Sequence, residues 1–409
     1  MLVIGRPSRR RAHAFAFAAF ALMPLFLNQS CREERAKQAA PNARTARARI
    51  AGKSPSVRFD SSGVLHVAYV ESGAGGDSIV ARTVADAPGA PNRVSPAGSK
   101  PEAYGEVGPM LALLPNGNQM IAYSVMLPGG QWSSELHLQQ SRDGGKTWSA
   151  PRLLHDDRRL TSHSFVDAAV NRSGDAVFSW LDDRSGHQGV RTALVRGDEI
   201  GRNGSADDFT CECCRTTLLT ANDGSVWLAY RDHADGNVRN MAYAISRDGG
   251  ATFTRQGDIA DDHWIVNGCP DSGPRMTQAS DGSIWAAWFN GKTTSIECAT
   301  ARDGKFGAMQ VLASRTTGIP VVNHPEIGTF PDGRLVVFYE ANQTSGPRSI
   351  AMRVADAQGR EWTAPRIVAT NAVGPRFAHS GGRAALAFTQ FDGSTPSVVI
   401  EDWRDLASK

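Results

Sequence analysis

Seven times along this chain a turn ending in glycine is followed, six residues later, by an aromatic residue that closes an alternating strand. The pairs are Gly63 with Tyr69, Gly117 with Tyr123, Gly174 with Trp180, Gly224 with Tyr230, Gly282 with Trp288, Gly333 with Tyr339 and Gly382 with Phe388, with successive aromatics 49 to 58 residues apart. Asn-Gly, Asp-Gly and Ser-Gly turns between period-2 apolar runs mark β-hairpins, because glycine accepts the positive φ that such turns require. After each hairpin comes another alternating segment, such as "ELHLQQS", "NMAYAIS" or "SIAMRVA", and usually a fourth near "APRLL", "AMQVLA" or "APRIVA". Four antiparallel strands in every repeat of this length describe a β-propeller blade, so the expected fold is an all-β propeller. The seventh copy ends after three strands, and the segment around Ala48 to Lys53 is expected to complete it and close the ring. Seven blades is the favoured reading; the alternative is six, with one copy reduced to an accessory hairpin.

The phrase "SRDGGKTW" (141–148) returns as "SRDGGATF" (246–253), with a degraded version, "ARDGKF", in the fifth copy. All fall between the third and fourth strands. The aspartate can accept hydrogen bonds from its own turn while the aromatic packs between sheets, which makes the phrase a fold device. A calcium or ligand loop is the competing reading. Ser-x-Asp-x-Gly-x-x-Trp/Phe resembles the Asp-box, or BNR repeat, of sialidase-type propellers, and with the blade rhythm the resemblance extends over roughly residues 50–409. The same box occurs in sialidases, in other glycosidases and in propellers without known chemistry, so it implies fold rather than activity.

The first thirty residues stand apart. Arg6, Arg9, Arg10 and Arg11 precede a 14-residue uncharged apolar run, Ala14 to Leu27. That layout reads as an export signal and is shorter than the roughly 20 residues of a spanning helix. Cys31 follows where a bacterial lipoprotein carries its acylated cysteine, although Asn28 stands where such signals prefer an aliphatic residue. Lipidation at Cys31 and simple cleavage nearby both remain open, and either implies an exported protein: periplasmic, anchored or secreted. Residues 31–47, rich in Arg and Ala, read as a flexible tether, leaving 48–409 as the propeller. The leader holds 4 of the 44 Lys+Arg and none of the 41 Asp+Glu, so the remainder carries 40 against 41. A nearly neutral body has no basic field to attract nucleic acid or an anionic membrane.

In a propeller, the glycine turns and Asp-boxes mark one face, and the other is built from residues just before each first strand and just after each second strand. Before the first strands lie Glu106, His163, Asp167, Arg215, Arg275, His324, Glu326 and Arg376; after the second strands lie Glu71, Asp182, Asp183, Arg184, Arg231, Asp232, Asn290 and Glu340. Arg275 and Glu326 each precede their turn glycine by seven residues and Arg376 by six, which should aim them at the axis, where an unpaired charge is costly. The sialidase resemblance implies an arginine triad on a substrate carboxylate, a tyrosine nucleophile activated by a glutamate, and an aspartate acid/base. On this sequence Arg215, Arg275 and Arg376 would form the clamp, with Arg231, His163 and His324 as further ligand contacts. Asp167, Asp183 or Asp232 would be the acid, and Glu326 or Glu340 the activating carboxylate. Planar guanidinium forks suit a carboxylate ligand. The expected ligand is therefore a glycan or another anionic or polyhydroxylated small molecule, either hydrolysed in exo-sialidase fashion or bound without turnover. The chain departs from the family in lacking a Phe/Tyr-Arg-Ile-Pro stretch, and no tyrosine stands out as a nucleophile.

"CECCR" puts Cys211, Cys213 and Cys214 just before the first strand of the fourth blade, and "NGCPDSGPRM" puts Cys269 in the equivalent loop of the fifth. In an exported protein the expected state is disulfide bonding, with Cys269 stapling one of the three. The alternative is a copper or zinc site, or a thiol-redox centre, on these four cysteines with His263 as an extra ligand. Otherwise no cofactor is expected. Cys298 lies in a strand and reads as a buried free thiol.

Overall fold

The computed structural model describes residues 46–402 except 86–87, 130–131, 318, 320 and 343–346. The leader, Cys31 and nearly all of the tether lie outside the described residues. Seven separate antiparallel sheets account for every strand. The innermost strands, in chain order, are Lys53–Phe59, Met110–Leu113, His163–Val170, Thr217–Thr220, Arg275–Gln278, Val321–Thr329 and Ala372–Ser380. Each pairs with the strand that follows its glycine turn, and that strand pairs with a third. Blades 3 and 5 carry two short strands at the outer position, Glu199–Ile200 with Gly204–Asp207 and Lys305–Phe306 with Gln310–Ser314.

The turns behave as their composition requires. In six of the seven the glycine N–H donates to the carbonyl three residues earlier at 2.8–3.0 Å, as from Gly63 to Asp60 and from Gly333 to Phe330. The turn glycines hold φ between 76° and 88°, the left-handed region that a Cβ disfavours. Six residues on, all seven aromatics are buried at 0 or 1 % exposure. Their polar atoms mostly find partners: Trp180 Nε1 donates to Asp182 at 2.9 Å, Trp288 Nε1 to Asp262 at 2.7 Å and Tyr230 Oη to Asp207 at 2.8 Å. Each blade thus contributes one large anchor to an inter-blade core in which Val, Ile, Leu and Ala predominate.

The ring closes as expected. Ala46–Ala51 forms the outer strand of the seventh blade, pairing antiparallel with Thr395–Asp402 in the register Ala48↔Ile400, Ile50↔Val398. Six blades are excluded by this topology.

The Asp-boxes are self-contained. Asp143 Oδ1 accepts the backbone N–H of Lys146 at 3.0 Å and of Thr147 at 2.9 Å, while Oδ2 accepts the Thr147 hydroxyl at 2.6 Å. Asp248 repeats the pattern on Thr252. Ser141 and Ser246 complete each box, donating to the aspartate and accepting from Gly145 and Gly250. These bonds hold the Asp143 carboxyl well below its usual range, the Thr147 hydroxyl first among them. A Cβ on Gly250 would lie 2.4 Å from Val177 of blade 3, so this box also sets how closely two blades approach.

Candidate functional site

The residue seven before the turn glycine (six in the last blade) is Ser56, Met110, Asp167, Thr217, Arg275, Glu326 or Arg376, and all seven line one axial cavity of about 330 Å³. A local backbone irregularity helps to aim them. In blades 1, 3, 6 and 7 the register shifts just before the axial residue. Two residues upstream of it sits a left-handed residue: Ser54 (φ 51°), Phe165 (58°), His324 (47°) or Gly374 (65°). A bulge of this kind bends a strand and redirects the following side chain. Three of the four are non-glycine, a conformation that costs on the order of 1–3 kcal/mol and persists where the surroundings fix it.

Five of the predicted residues converge here. Arg275, 3 % exposed, donates from Nη2 to Glu106 in a very short contact and from Nε to Glu326 at 3.2 Å. Glu106 also accepts the Gly273 N–H at 2.6 Å, and Glu326 accepts the Phe377 N–H at 3.3 Å. Asp167 accepts the Leu218 N–H at 2.8 Å. Burial alone would raise the Glu106 pKa, but Arg275, then His324, Arg215 and Arg376, outweigh it and pull it down to about 2. The two remaining arginines are in a different condition. Arg376 uses Nη1 on the Pro375 carbonyl at 2.8 Å. Arg215 is 5 % exposed, and among the described residues its buried Nε has no acceptor. Burial first presses both guanidinium pKa values down, joined by Arg275 and Arg376 at Arg215 and by Arg275 at Arg376. Arg215 and Arg376 line the axial cavity and also a second one of about 130 Å³, which opens among Ser54, Tyr104, Glu106 and Gly374. Three arginines therefore meet three carboxylates at the axis, with the Arg215 Nε donor unspent.

His324 and Glu340 form a supporting layer. His324 Nδ1 lies 2.9 Å from Glu340 Oε1 and Nε2 lies 2.5 Å from the Asp271 carbonyl. Burial opposes its charge, but Asp271 and Glu340 prevail and raise its pKa to about 10. Glu340 further takes the Gly374 N–H at 2.8 Å and Arg348 at 3.0 Å.

The other predicted residues lie away from the axis. His163, fully buried, pairs Nδ1 with the Ser134 carbonyl at 2.8 Å, and its Nε2 is 3.5 Å from Asp182 and 3.7 Å from Asp157. Asp183 caps the Ser162 N–H nearby at 2.6 Å. Arg231 spends its donors on three backbone carbonyls, of Ser272, Arg239 and Phe289, and stacks on Trp264 at 4.9 Å. Asp232 pairs with Arg255 at 2.8 Å, and burial with the neighbouring Asp207 raises its pKa. Of the residues after second strands, Glu340 backs the axial site through His324, whereas Arg231 and Asp232 are engaged elsewhere, by carbonyls of blade 5 and its loop and by Arg255.

Two residues escaped the list of candidate site residues. Glu106, read only as a rim position, is the chief partner of Arg275. Tyr104 is half exposed on the wall of the smaller cavity; burial, then Glu102 and Asp271, push its phenol up to about 12. Both come from a loop without strand periodicity. Its spacing carries no directional signal; the loop's Glu-Ala-Tyr-Gly-Glu composition is the only cue.

The cysteines do share the rim. Cys213 is bonded to Cys269, so two of the four proposed metal ligands have no thiolate to offer an ion. Cys211 and Cys214 are buried thiols with sulfurs 3.3 Å apart. The hydrogen bond from Cys214 holds the Cys211 pKa near 7 against burial, with help from Arg231 and Arg239, and burial raises that of Cys214. Cys298 is a buried thiol, also raised by burial.

Comparison with known proteins agrees with this architecture. No curated protein matches the sequence. Among solved structures, the chain is similar to a protein of unknown function from Dyadobacter fermentans (15 % identity, 86 % of this chain and 95 % of that one, TM-score 0.50). It is also similar to the Hadza microbial sialidase Hz136 (11 %, 84 % and 74 %, 0.52). A third is the α-L-arabinanase of Penicillium chrysogenum, complexed with arabinobiose (15 %, 73 % and 92 %, 0.50). At such identities the likeness is one of fold. The BNR repeat-like domain model matches residues 80–319, more than half of the chain. Together with seven closed blades and two complete Asp-boxes, this places the chain in the family of BNR-repeat, sialidase-fold β-propellers.

Proposed function

We propose that the axial site binds a carboxylate-bearing sugar, with Arg215 and Arg376 as the ligand fork and Arg275 as the fixed centre that orients them. The observation that carries this reading is Arg215: it lines both cavities, its guanidinium is buried and repelled by two other arginines, and its Nε has no acceptor among the described residues. A desolvated cation in that condition is stabilised by an anion arriving from solution. Asp167 and Glu106 offset its burial and repulsion only in part, and each is already engaged, Asp167 by the Leu218 N–H and Glu106 by Arg275 and the Gly273 N–H.

A second reading, hydrolysis at the same site, is favoured by Tyr104, a phenol beside two carboxylates on the wall shared with Arg215 and Arg376. A neutral nucleophile of this kind avoids setting another anion against an anionic substrate.

Titration calorimetry with N-acetylneuraminic acid and its methyl ester tests the first reading, and turnover of a fluorogenic sialoside tests the second. Binding of the acid but not the ester, lost in Arg215→Met, is the expected result. Equal binding of acid and ester, or unaltered binding in Arg215→Met, would rule out the arginine fork. Absence of turnover with binding intact would leave a lectin-like propeller.

A further inference from the structure

Cys211, Cys213 and Cys214 bring their sulfurs within 4.8 Å of one another, and Cys213 is already bonded to Cys269. Four sulfurs therefore lie in one cluster in two unlike conditions. Cys269 is exposed on the loop leading to Arg275, whereas Cys211 and Cys214 are at most 1 % exposed. The cluster is wired into the backbone of that loop: the Asp271 N–H donates to Cys213 Sγ at 3.3 Å and the Ser272 N–H to Cys214 Sγ at 3.4 Å. Arg231 lies close enough to act on both thiols and, among the described residues, bonds only to carbonyls.

We propose that these four sulfurs form a thiol–disulfide exchange centre, in which the disulfide migrates between the outer Cys213–Cys269 pair and the buried Cys211/Cys214 pair. In the first step the Cys211 thiolate attacks Cys213 Sγ; the Cys211–Cys213 bond forms, the Cys213–Cys269 bond breaks, and Cys269 leaves as a thiolate that takes a proton from water. Cys214, giving up its proton, then attacks Cys211 Sγ and expels Cys213 as a thiolate, which is protonated in turn. Two protons leave and two are taken up, and no electrons are gained or lost, so no external oxidant is required. Exchange of this kind needs a thiolate, and a cationic surrounding supplies it. The contact between Cys211 and Cys214 is the precursor geometry of the second bond.

The outcome differs at the surface. With the bond on Cys213–Cys269, the loop before Arg275 is tied to the segment that ends in Arg215. With the bond on Cys211–Cys214, that tie is gone and Cys269 is an exposed thiol, open to a disulfide or an electrophile from solution. The centre thus deepens neither reading of the axial site and stands without them.

The full chain provides the test, because trypsin leaves Cys211, Cys213 and Cys214 together in peptide 203–215 and Cys269 in peptide 256–275. The outer disulfide links the two peptides, whereas the inner one leaves them separate. Protein brought to one disulfide per chain with limiting oxidised glutathione, with a chelator present, is incubated with catalytic 2-mercaptoethanol, acid-quenched, unfolded, alkylated and mapped by mass spectrometry. Cys298 serves as the thiol reference. The expected result is a tenfold or greater rise of the intrapeptide Cys211–Cys214 form, with alkylation shifting to Cys213 and Cys269, and loss of that shift in Cys211→Ser. Persistence of the cross-linked pair alone would overturn the proposal, as would a Cys211→Ser chain that redistributes label as the wild type does.

Discussion

The two Asp-boxes and the axial cluster both rest on ionised carboxylates, yet they are built in opposite ways. Asp143 and Asp248 are satisfied within five residues of chain by the turn that contains them. Glu106 and Glu326 are satisfied only when segments from blades 2, 5, 6 and 7 meet. A polar group closed by its own loop is finished when the loop forms and has nothing left to offer. A cluster assembled across the ring can retain an unpaired donor such as Arg215 Nε, and ligand chemistry is expected there. The recurrence of a motif in sequence therefore points to scaffold, and the non-repeating residues at equivalent positions point to function.

Replacement at the centre of the cluster should have the largest effect. Arg275→Ala leaves the buried Glu106 and the partly buried Glu326 without their cation, and loss of one member of a buried pair costs about 3–5 kcal/mol; denaturant unfolding should show it. Gly250→Ala meets Val177 at 2.4 Å from a backbone held at φ 96°, so a loss of roughly 1–3 kcal/mol is expected from strain and overpacking. Asp143→Ala strands box donors that are mostly solvent-accessible, and about 1 kcal/mol should be lost with ligand affinity unchanged. A fall as large as that of Arg275→Ala would break the contrast between local and assembled carboxylates.

The pH dependence sharpens the same comparison. Because its folded pKa is depressed to about 2, Glu106 contributes stability that is present above its unfolded value, near 4.5, and is lost as pH falls through 2. His324 has a raised folded pKa, so its contribution is complete below about 6.5 and disappears as pH rises through 10. Melting curves of the wild type and His324→Gln should differ most at mildly acidic pH, below about 6.5, and converge at the alkaline end. The smallest expected change is in the stability of Arg215→Met: removing a buried, like-charge-repelled cation should leave the melting temperature level or slightly higher while abolishing binding of an anionic sugar.

Much of this was legible in the sequence because hairpin chemistry is local. A glycine turn with an aromatic six residues on fixes register, and register fixes which face each side chain takes. By that logic Arg275, Glu326 and Arg376 were aimed correctly at the axis, and Asp167 shares their offset. Arg231 and Asp232 misled because the end of a second strand has no equivalent rule: Arg231 turned to the carbonyls of an adjoining loop and Asp232 to Arg255. Glu106 and Tyr104 belong to a loop whose path depends on contacts with blades that follow it in the chain. The choice of Cys213 as the partner of Cys269 likewise depends on how two loops pack, which spacing does not record.

The final strand pairing carries a temporal consequence. Since Ala46–Ala51 zips onto Thr395–Asp402, the earliest and latest described stretches of polypeptide must find each other before the seventh blade is complete. Competence to capture a ligand should therefore emerge in one step, at closure, rather than accumulate blade by blade.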